Sequence, residues 1–269
     1  MKIETQTATR QGKRNRNEDH VAVDDDLGVA ILCDGMGGHP YGAFASRTAG
    51  DTALTLLRRK KQDIERCSSS DCPSHCLEDL LASALEATNR RLNRLTDEEE
   101  KGLRPGSTIT AVLVRDDRAV LAWLGDSPAY LLRGGRLQQL TQPHTLGQEL
   151  LDLGALSEEE VERTPWSHTL TRACGIDEQV TADVRTIRVR PGDRIVLVSD
   201  GTSNPLGREG MEELLVSARD DLADLLVRKA LDQGGRDDAT TIVVDVLSHG
   251  TMDETEDGWS RHAQVSLTG

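Results

Sequence analysis

The sequence predicts an α+β fold in which antiparallel sheets stack and helices cover them. Apolar runs of strand length come in groups joined by two-residue turns, as in hairpins. Helical stretches come in pairs rather than singly between strands. The strict strand–helix alternation of a doubly wound parallel sheet is therefore missing, and no internal repeat replaces it.

The elements follow in order along the chain. Val29-Ala30-Ile31-Leu32-Cys33 is a buried-strand run that ends in Asp34-Gly35. Asp24-Asp25-Asp26 ahead of it reads as a turn between two strands, because a calcium loop needs more oxygen ligands at fixed offsets. Ala43 to Lys61 and Leu77 to Leu95 are helical, the second with Leu77, Leu81, Leu85, Leu92 and Leu95 near helical spacing. Ile109 to Val114 turns at Asp116-Asp117 into Ala119 to Leu124, and Ala129 to Arg133 turns at Gly134-Gly135. Thr145 to Thr164 is a helical, acidic insertion with a capping box at Ser157-Glu158-Glu159-Glu160. Val184 to Val189 and Arg194 to Ser199 are strands joined by Pro191-Gly192. Helices over Glu209 to Ala218 and Leu222 to Leu231 follow, and Thr241 to Val246 is the last strand. Ser248 to Gly269 is polar, acidic and aperiodic, the pattern of a loose tail.

Composition narrows the function. A chain of 269 residues can bury a sizeable core, here built from Leu, Val, Ala and Ile because only three Trp, two Tyr and one Phe are present. A formal charge of −14 argues against a nucleic-acid binder and against docking on anionic membranes. No apolar stretch reaches membrane-spanning length, and Met1 to Thr5 has no signal-peptide core, so the expectation is a cytoplasmic protein. Five irregularly spaced cysteines fit reduced thiols rather than a disulfide frame. Cys67, Cys72, His75 and Cys76 match no standard zinc spacing and read as an exposed, reduced loop, with a structural zinc site as the alternative. Cys33 and Cys174 read as small buried hydrophobes.

The chemistry lies in acidic islands far apart in the chain. They are Asn17-Glu18-Asp19, Asp34-Gly35-Met36-Gly37-Gly38-His39, Asp200-Gly201, and Gly234-Gly235-Arg236-Asp237-Asp238. A strand ending in Asp-Gly places a carboxylate at the sheet rim, and the glycine lets backbone approach what that carboxylate holds. Several such rims converging cannot all stay ionised without a cation. Oxygen donors suit Mg2+ or Mn2+.

In their order, Arg14-Asn15-Arg16-Asn17-Glu18-Asp19, Asp34 to His39, Gly106-Ser107-Thr108, Gly125-Asp126-Ser127-Pro128-Ala129-Tyr130, Leu170-Thr171-Arg172-Ala173-Cys174-Gly175, Ser199-Asp200-Gly201 and Asp237-Asp238-Ala239-Thr240 resemble one family. It is the metal-dependent protein phosphatases, type 2C serine/threonine class, and Asp34 to His39 resembles the bacterial branch. The likeness runs from about Thr7 to Leu247. It implies a β-sandwich flanked by helices on both faces, in four αββα layers. Residues 1–247 would form the catalytic domain, with a mobile flap at about 143–172, and 248–269 a flexible tail.

The resemblance also implies roles. Asp34 would bridge two tightly bound Mn2+ or Mg2+ ions, the Gly35 carbonyl would ligate one, and Asp200 and Asp237 would complete the other's shell. Asp19 belongs to the same cluster, and Asp126 to a third, weaker ion. Glu18 would act through water, and Asp238 is a second carboxylate where relatives usually have Asn. Arg14 would hold the substrate phosphate with its planar guanidinium. A hydroxide shared by ions about 3.5–4 Å apart would attack phosphorus in line, with no phosphoenzyme. Many eukaryotic relatives carry a His directly after the Asp-Gly, where this chain has Met36. The proton donor is then either His39 or a metal-bound water. The implied protein is a monomeric serine/threonine phosphoprotein phosphatase whose substrates include a bacterial serine/threonine kinase that it counteracts. A catalytically weak phosphoprotein-binding regulator, or a phosphatase dedicated to one regulatory switch such as secretion control, are the alternatives.

Overall fold

The computed structural model describes residues 2–37, 41–67, 76–97, 105–217 and 220–248. The strands in chain order are β1 (Lys2–Arg10), β2 (Asp19–Asp24), β3 (Val29–Met36), β4 (Gly106–Ser107), β5 (Ile109–Arg115), β6 (Arg118–Leu124), β7 (Ala129–Arg133), β8 (Arg136–Gln139), β9 (Asp183–Arg188), β10 (Arg194–Val198) and β11 (Ala239–Leu247). The helices are α1 (Tyr41–Arg59), α2 (Lys61–Arg66), α3 (Cys76–Asp97), α4 (Leu146–Asp152), α5 (Glu158–Glu162), α6 (Asp200–Leu215) and α7 (Leu222–Asp232).

The strands form two antiparallel sheets, ordered β1-β11-β10-β7-β8 and β2-β3-β5-β6-β9, with the short β4 against the end of β3. Side-chain alternation decides what each sheet buries. In β3, Leu32 faces the core between the sheets while Ile31 faces helices α1 and α3, where Leu57, Leu81 and Leu85 cover it. In β10, Leu197 faces the inter-sheet core while Val196 packs under Met211 of α6 and Leu226 of α7. Both faces of both sheets are thus apolar, which explains strands that read as continuous hydrophobic runs. The result is the expected four-layer αββα sandwich.

Several elements depart from the sequence reading. β1 went unpredicted because Lys2 to Arg10 holds only Ile3 and Ala8 as apolar residues; a nine-residue ladder to β11, from Lys2↔Leu247 to Arg10↔Ala239, makes it a strand. α6 starts at Asp200, nine residues before the expected Glu209, and crosses Pro205 and a break at Gly207 (φ 63°). Pro205 lies past the first turn, where it removes an i→i−4 hydrogen bond to the Gly201 carbonyl, and the helix breaks two residues later at Gly207. The insertion after β8 holds α4, α5 and a short 3-10 turn at Pro165–His168. Its capping box is present, the Glu160 carboxylate accepting from the Ser157 N–H at 2.8 Å.

The cysteine reading needs a correction. Cys67, at the end of α2, is joined by a disulfide to Cys76, the first residue of α3. Cys67 is also buried rather than in an exposed loop, packed in the cluster that holds Ile64 and Leu77. Two helix ends that share one apolar face bring these thiols together, which sequence spacing does not reveal. Cys33 and Cys174 are free and buried, as expected. Cys72, His75, His39 and the tail from 249 onward lie outside the described residues.

Candidate active site at the sheet rims

The acidic islands meet where ends of the two sheets face each other. Asp19 opens β2 and pairs in register with Asp34 of β3. Asp200 follows β10, and Asp237 and Asp238 precede β11, both in the other sheet. Ser199 spans the two: its hydroxyl donates to Asp19 Oδ2 at 2.9 Å and accepts the Thr240 N–H at 3.0 Å. Ser199 is also the N-cap of α6, but its hydroxyl makes no cap bond, being engaged across the sandwich instead.

Asp34 is fixed from below. Its N–H donates to Thr108 Oγ1 at 3.0 Å, and its carbonyl accepts the Thr108 N–H at 2.8 Å and the Ser107 hydroxyl at 3.0 Å. Close approach explains the glycines beside these carboxylates. A Cβ on Gly35 would lie 2.1 Å from the Gly42 carbonyl oxygen, and one on Gly201 would lie 2.1 Å from that of Asp238.

Asp238 has a backbone role. Buried, it accepts the Gly12 N–H on Oδ1 at 2.9 Å and the Glu18 N–H on Oδ2 at 2.8 Å. Both oxygens pin the segment that carries Arg14, Glu18 and Asp19, so the second carboxylate holds backbone rather than adding a loose charge. Glu18 is buried with Oε2 turned toward Arg14 Nη1 at 3.3 Å. The other arm of the Arg14 guanidinium donates to Asp237 Oδ2 at 2.5 Å.

Arg14, Asp34, Gly35, Asp126, Asp200 and Asp237 line one cleft of about 430 Å3. Met36 lines it too, and the insertion supplies His168 and Arg172 from the facing side. His168, Arg172, Thr108 and Ser199 were not singled out from sequence. Their roles come from contacts made across the fold, although Thr108, Arg172 and Ser199 lie inside the motifs that carried the resemblance.

Electrostatics describes a site built for cations. Burial, then Asp19, Asp200, Asp237 and Asp126, push the Asp34 carboxyl well above its ordinary range. Burial chiefly raises Asp19 to about 7, with hydrogen bonds from Thr240 and Ser199 opposing. Asp126 rises to about 6, through burial and then Asp200. Asp200 is raised by burial and Asp237, and its buried Oδ1 has no hydrogen-bond partner. Burial lowers the Arg14 pKa, but Asp237, Asp34, Glu18 and Asp238 outweigh it and raise the value. Mutually repelling carboxylates with an orphaned oxygen are the donor set that a hard divalent ion neutralises. Among the described residues no three such side chains are already gathered closely enough to hold an ion. The fit is one of donor chemistry and position, with Asp237 engaged by Arg14.

A two-sheet sandwich with an acidic cleft between strand ends offers hard divalent cations a place to bind. Residues 7–233 match the family Protein phosphatase 2C, and the chain belongs to that family. It is a protein serine/threonine phosphatase. The serine/threonine phosphatase stp of Listeria monocytogenes serotype 4b (strain F2365) is 31% identical over 237 residues, covering 86% of this chain and 91% of that protein. The crystal structure of the Mycobacterium tuberculosis serine/threonine phosphatase PstP/Ppp superposes with a TM-score of 0.78 at 31% identity, covering 92% of this chain and all of that one. A structure of the PstP catalytic domain in complex with two manganese ions gives a TM-score of 0.75 at 32% identity, covering 92% and 99% of the two chains.

Proposed function

We propose that this phosphatase hydrolyses phosphoserine and phosphothreonine in proteins by direct attack of water on phosphorus. Asp19, Asp34, the Gly35 carbonyl, Asp200 and Asp237 would hold a pair of Mn2+ or Mg2+ ions, and Asp126 a third, weaker one. The observation that carries this reading is the convergence of half-buried, mutually repelling carboxylates from both sheets on one cleft, with Asp200 Oδ1 unpartnered. Bound there, divalent ions supply Lewis acidity and make water acidic enough to ionise near neutral pH.

The chain's own groups do the rest. Ser199 holds an Asp19 carboxylate oxygen and Thr108 holds the Asp34 backbone, which limits how far these two ligands can move during reaction. Arg14 lines the cleft with one arm held by Glu18 and the other by Asp237; a cation that took up Asp237 would release that second arm to a phosphate dianion. The insertion, as the flap over about 143–172, covers the cleft from the other side. Phosphoproteins are the substrates, a serine/threonine kinase among them, and the enzyme acts as a monomer. The described residues contain no helix long and apolar enough to cross a membrane, which fits a cytoplasmic location. The Cys67–Cys76 disulfide runs against that location, because a reducing cytoplasm keeps such a pair as thiols, so the state of the pair in the cell tests the compartment.

Asp34→Asn and Asp237→Asn test the reading. Each should lower phosphate release from a phosphothreonine peptide by orders of magnitude while the fold survives. Turnover within a few-fold of the parent in both variants would remove these aspartates from the chemistry.

A further inference from the structure

His144 is a buried polar side chain packed beside the turn that carries Asp126. Its side chain is 2% exposed, and its ring stacks on Trp123 with centroids 6.1 Å apart and planes 19° from parallel. Its backbone N–H donates to the Gly125 carbonyl at 3.0 Å, and its ring Nδ1 accepts the Gly125 N–H at 3.1 Å. One residue therefore satisfies both backbone groups of the glycine that precedes Asp126. An Nδ1 that accepts carries no proton, so the ring is the Nε2–H tautomer.

Gly125 has little freedom to relax. Its φ is +105°, and a Cβ there would meet Thr108 Cγ2 at 2.7 Å. On that side Thr108 holds the Asp34 N–H and shares a 2.7 Å hydrogen bond with the Ser127 hydroxyl. The turn carrying Asp126 is thus wedged between the support of Asp34 and His144.

The same histidine ties both ends of the insertion together. The His144 carbonyl accepts the Thr171 N–H at 2.9 Å. Its Nε2 lies 3.2 Å from Asp183 Oδ2, close enough for electrostatic attraction but not aligned as a hydrogen bond. Asp183 is gripped by Arg172, from Nη1 at 2.5 Å and from Nη2 at 3.3 Å, and Arg172 lines the cleft. A continuous chain of contacts runs from Asp34 through Thr108 and Gly125 to His144, and on to Thr171, Asp183 and Arg172. Burial, reinforced by Arg172 and opposed by Asp183, lowers the His144 pKa, in keeping with a neutral ring.

We propose that His144 is a positioning residue of this phosphatase: its Nε2–H tautomer receives the Gly125 N–H and locks the Asp126 turn to both ends of the insertion. It touches neither substrate nor reacting atoms. Without the acceptor, a buried N–H is left unpaired beside Asp126, and the turn must shift to satisfy it.

The effect on turnover rests on the reading of Asp126 as a ligand of a weaker ion; the tautomer does not. Two measurements separate them. In metal-free, 15N-labelled protein, the His144 ring should show an unprotonated Nδ1 and a protonated Nε2, assigned by loss of its signals in His144→Asn. An Nδ1–H tautomer, or a ring averaging freely between tautomers, would overturn the proposal whatever the enzyme does. In activity, His144→Phe keeps the stack on Trp123 but removes the acceptor. It should lower kcat on a phosphothreonine peptide, or raise the Mn2+ concentration for half-activation, by about 10–100-fold, the usual cost of losing a group that orients a ligand. KM should move much less. His144→Asn offers an oxygen near the Nδ1 position and should recover most of the loss. A Phe variant equal to the parent, or an Asn variant as impaired as Phe at equal melting temperature, would contradict the role. Should the Phe variant not fold, the tautomer and the Asn variant decide.

Discussion

Asp34 shows how the site is built at the scale of one residue. Burial and four other aspartates raise its pKa, while Thr108 and Ser107 hold its backbone. Such a residue was legible because Asp-Gly closing an apolar run puts a carboxylate at a strand end. Thr108, Ser199 and His144 were not, because their value lies in hydrogen bonds to partners distant in sequence; Ser199 reaches Asp19 across 180 positions. Arg14 is on the cleft edge, paired with Asp237 and Glu18. Arg14→Ala should weaken use of phosphoprotein substrates mainly through KM, because an Arg that grips phosphate equally before and during reaction supplies uniform binding. A fall in kcat at constant KM would place its action in the transition state instead. The raised carboxyls also set a sign for stability. Asp19 at about 7 and Asp126 at about 6 lie above the ordinary 3.8, so the folded, metal-free chain binds more protons than the unfolded one between about pH 4 and 7. In chelator, the melting temperature should therefore fall as pH rises from 5 to 7.5, and saturating Mn2+ should abolish most of that fall. A melting temperature that rises over this window in chelator would contradict the electrostatic account.

At the scale of elements, strands buried on both faces and leucine-spaced helices were readable, and the weak or interrupted ones were not. β1 is polar and becomes a strand only through its ladder to β11. α6 begins at Asp200, where a carboxylate in the first turn gains from the helix dipole, rather than at the expected Glu209. The largest error was the junction of α2 and α3, taken as an exposed reduced loop, where Cys67 is buried and bonded to Cys76. Closing a nine-residue separation should contribute about 2–3 kcal/mol through the unfolded state. Thermal melts with and without reductant should differ accordingly, and Cys76→Ser should melt like the reduced parent. Identical melts in all cases, with free thiols at both positions by mass spectrometry, would remove the bond from the folded protein.

The whole molecule places charge where its chemistry needs it. Two apolar sheets sandwiched by helices form the body of the fold, and the ends of β2, β3, β10 and β11 bring together groups that the chain keeps 220 positions apart, as the Glu18 N–H and the Asp238 carboxylate. That convergence is unfavourable alone and becomes useful with cations bound. The family and layered architecture were legible in the motif order. The orientation of each ligand was not, since it depends on how the two sheets meet. The most direct test is phosphate release from a phosphothreonine peptide by chelator-stripped protein as Mn2+ is added back. The account predicts no turnover in chelator and recovery with added Mn2+, to an extent that Asp34→Asn does not share. Full turnover by the stripped protein, or none with any divalent ion, would contradict it.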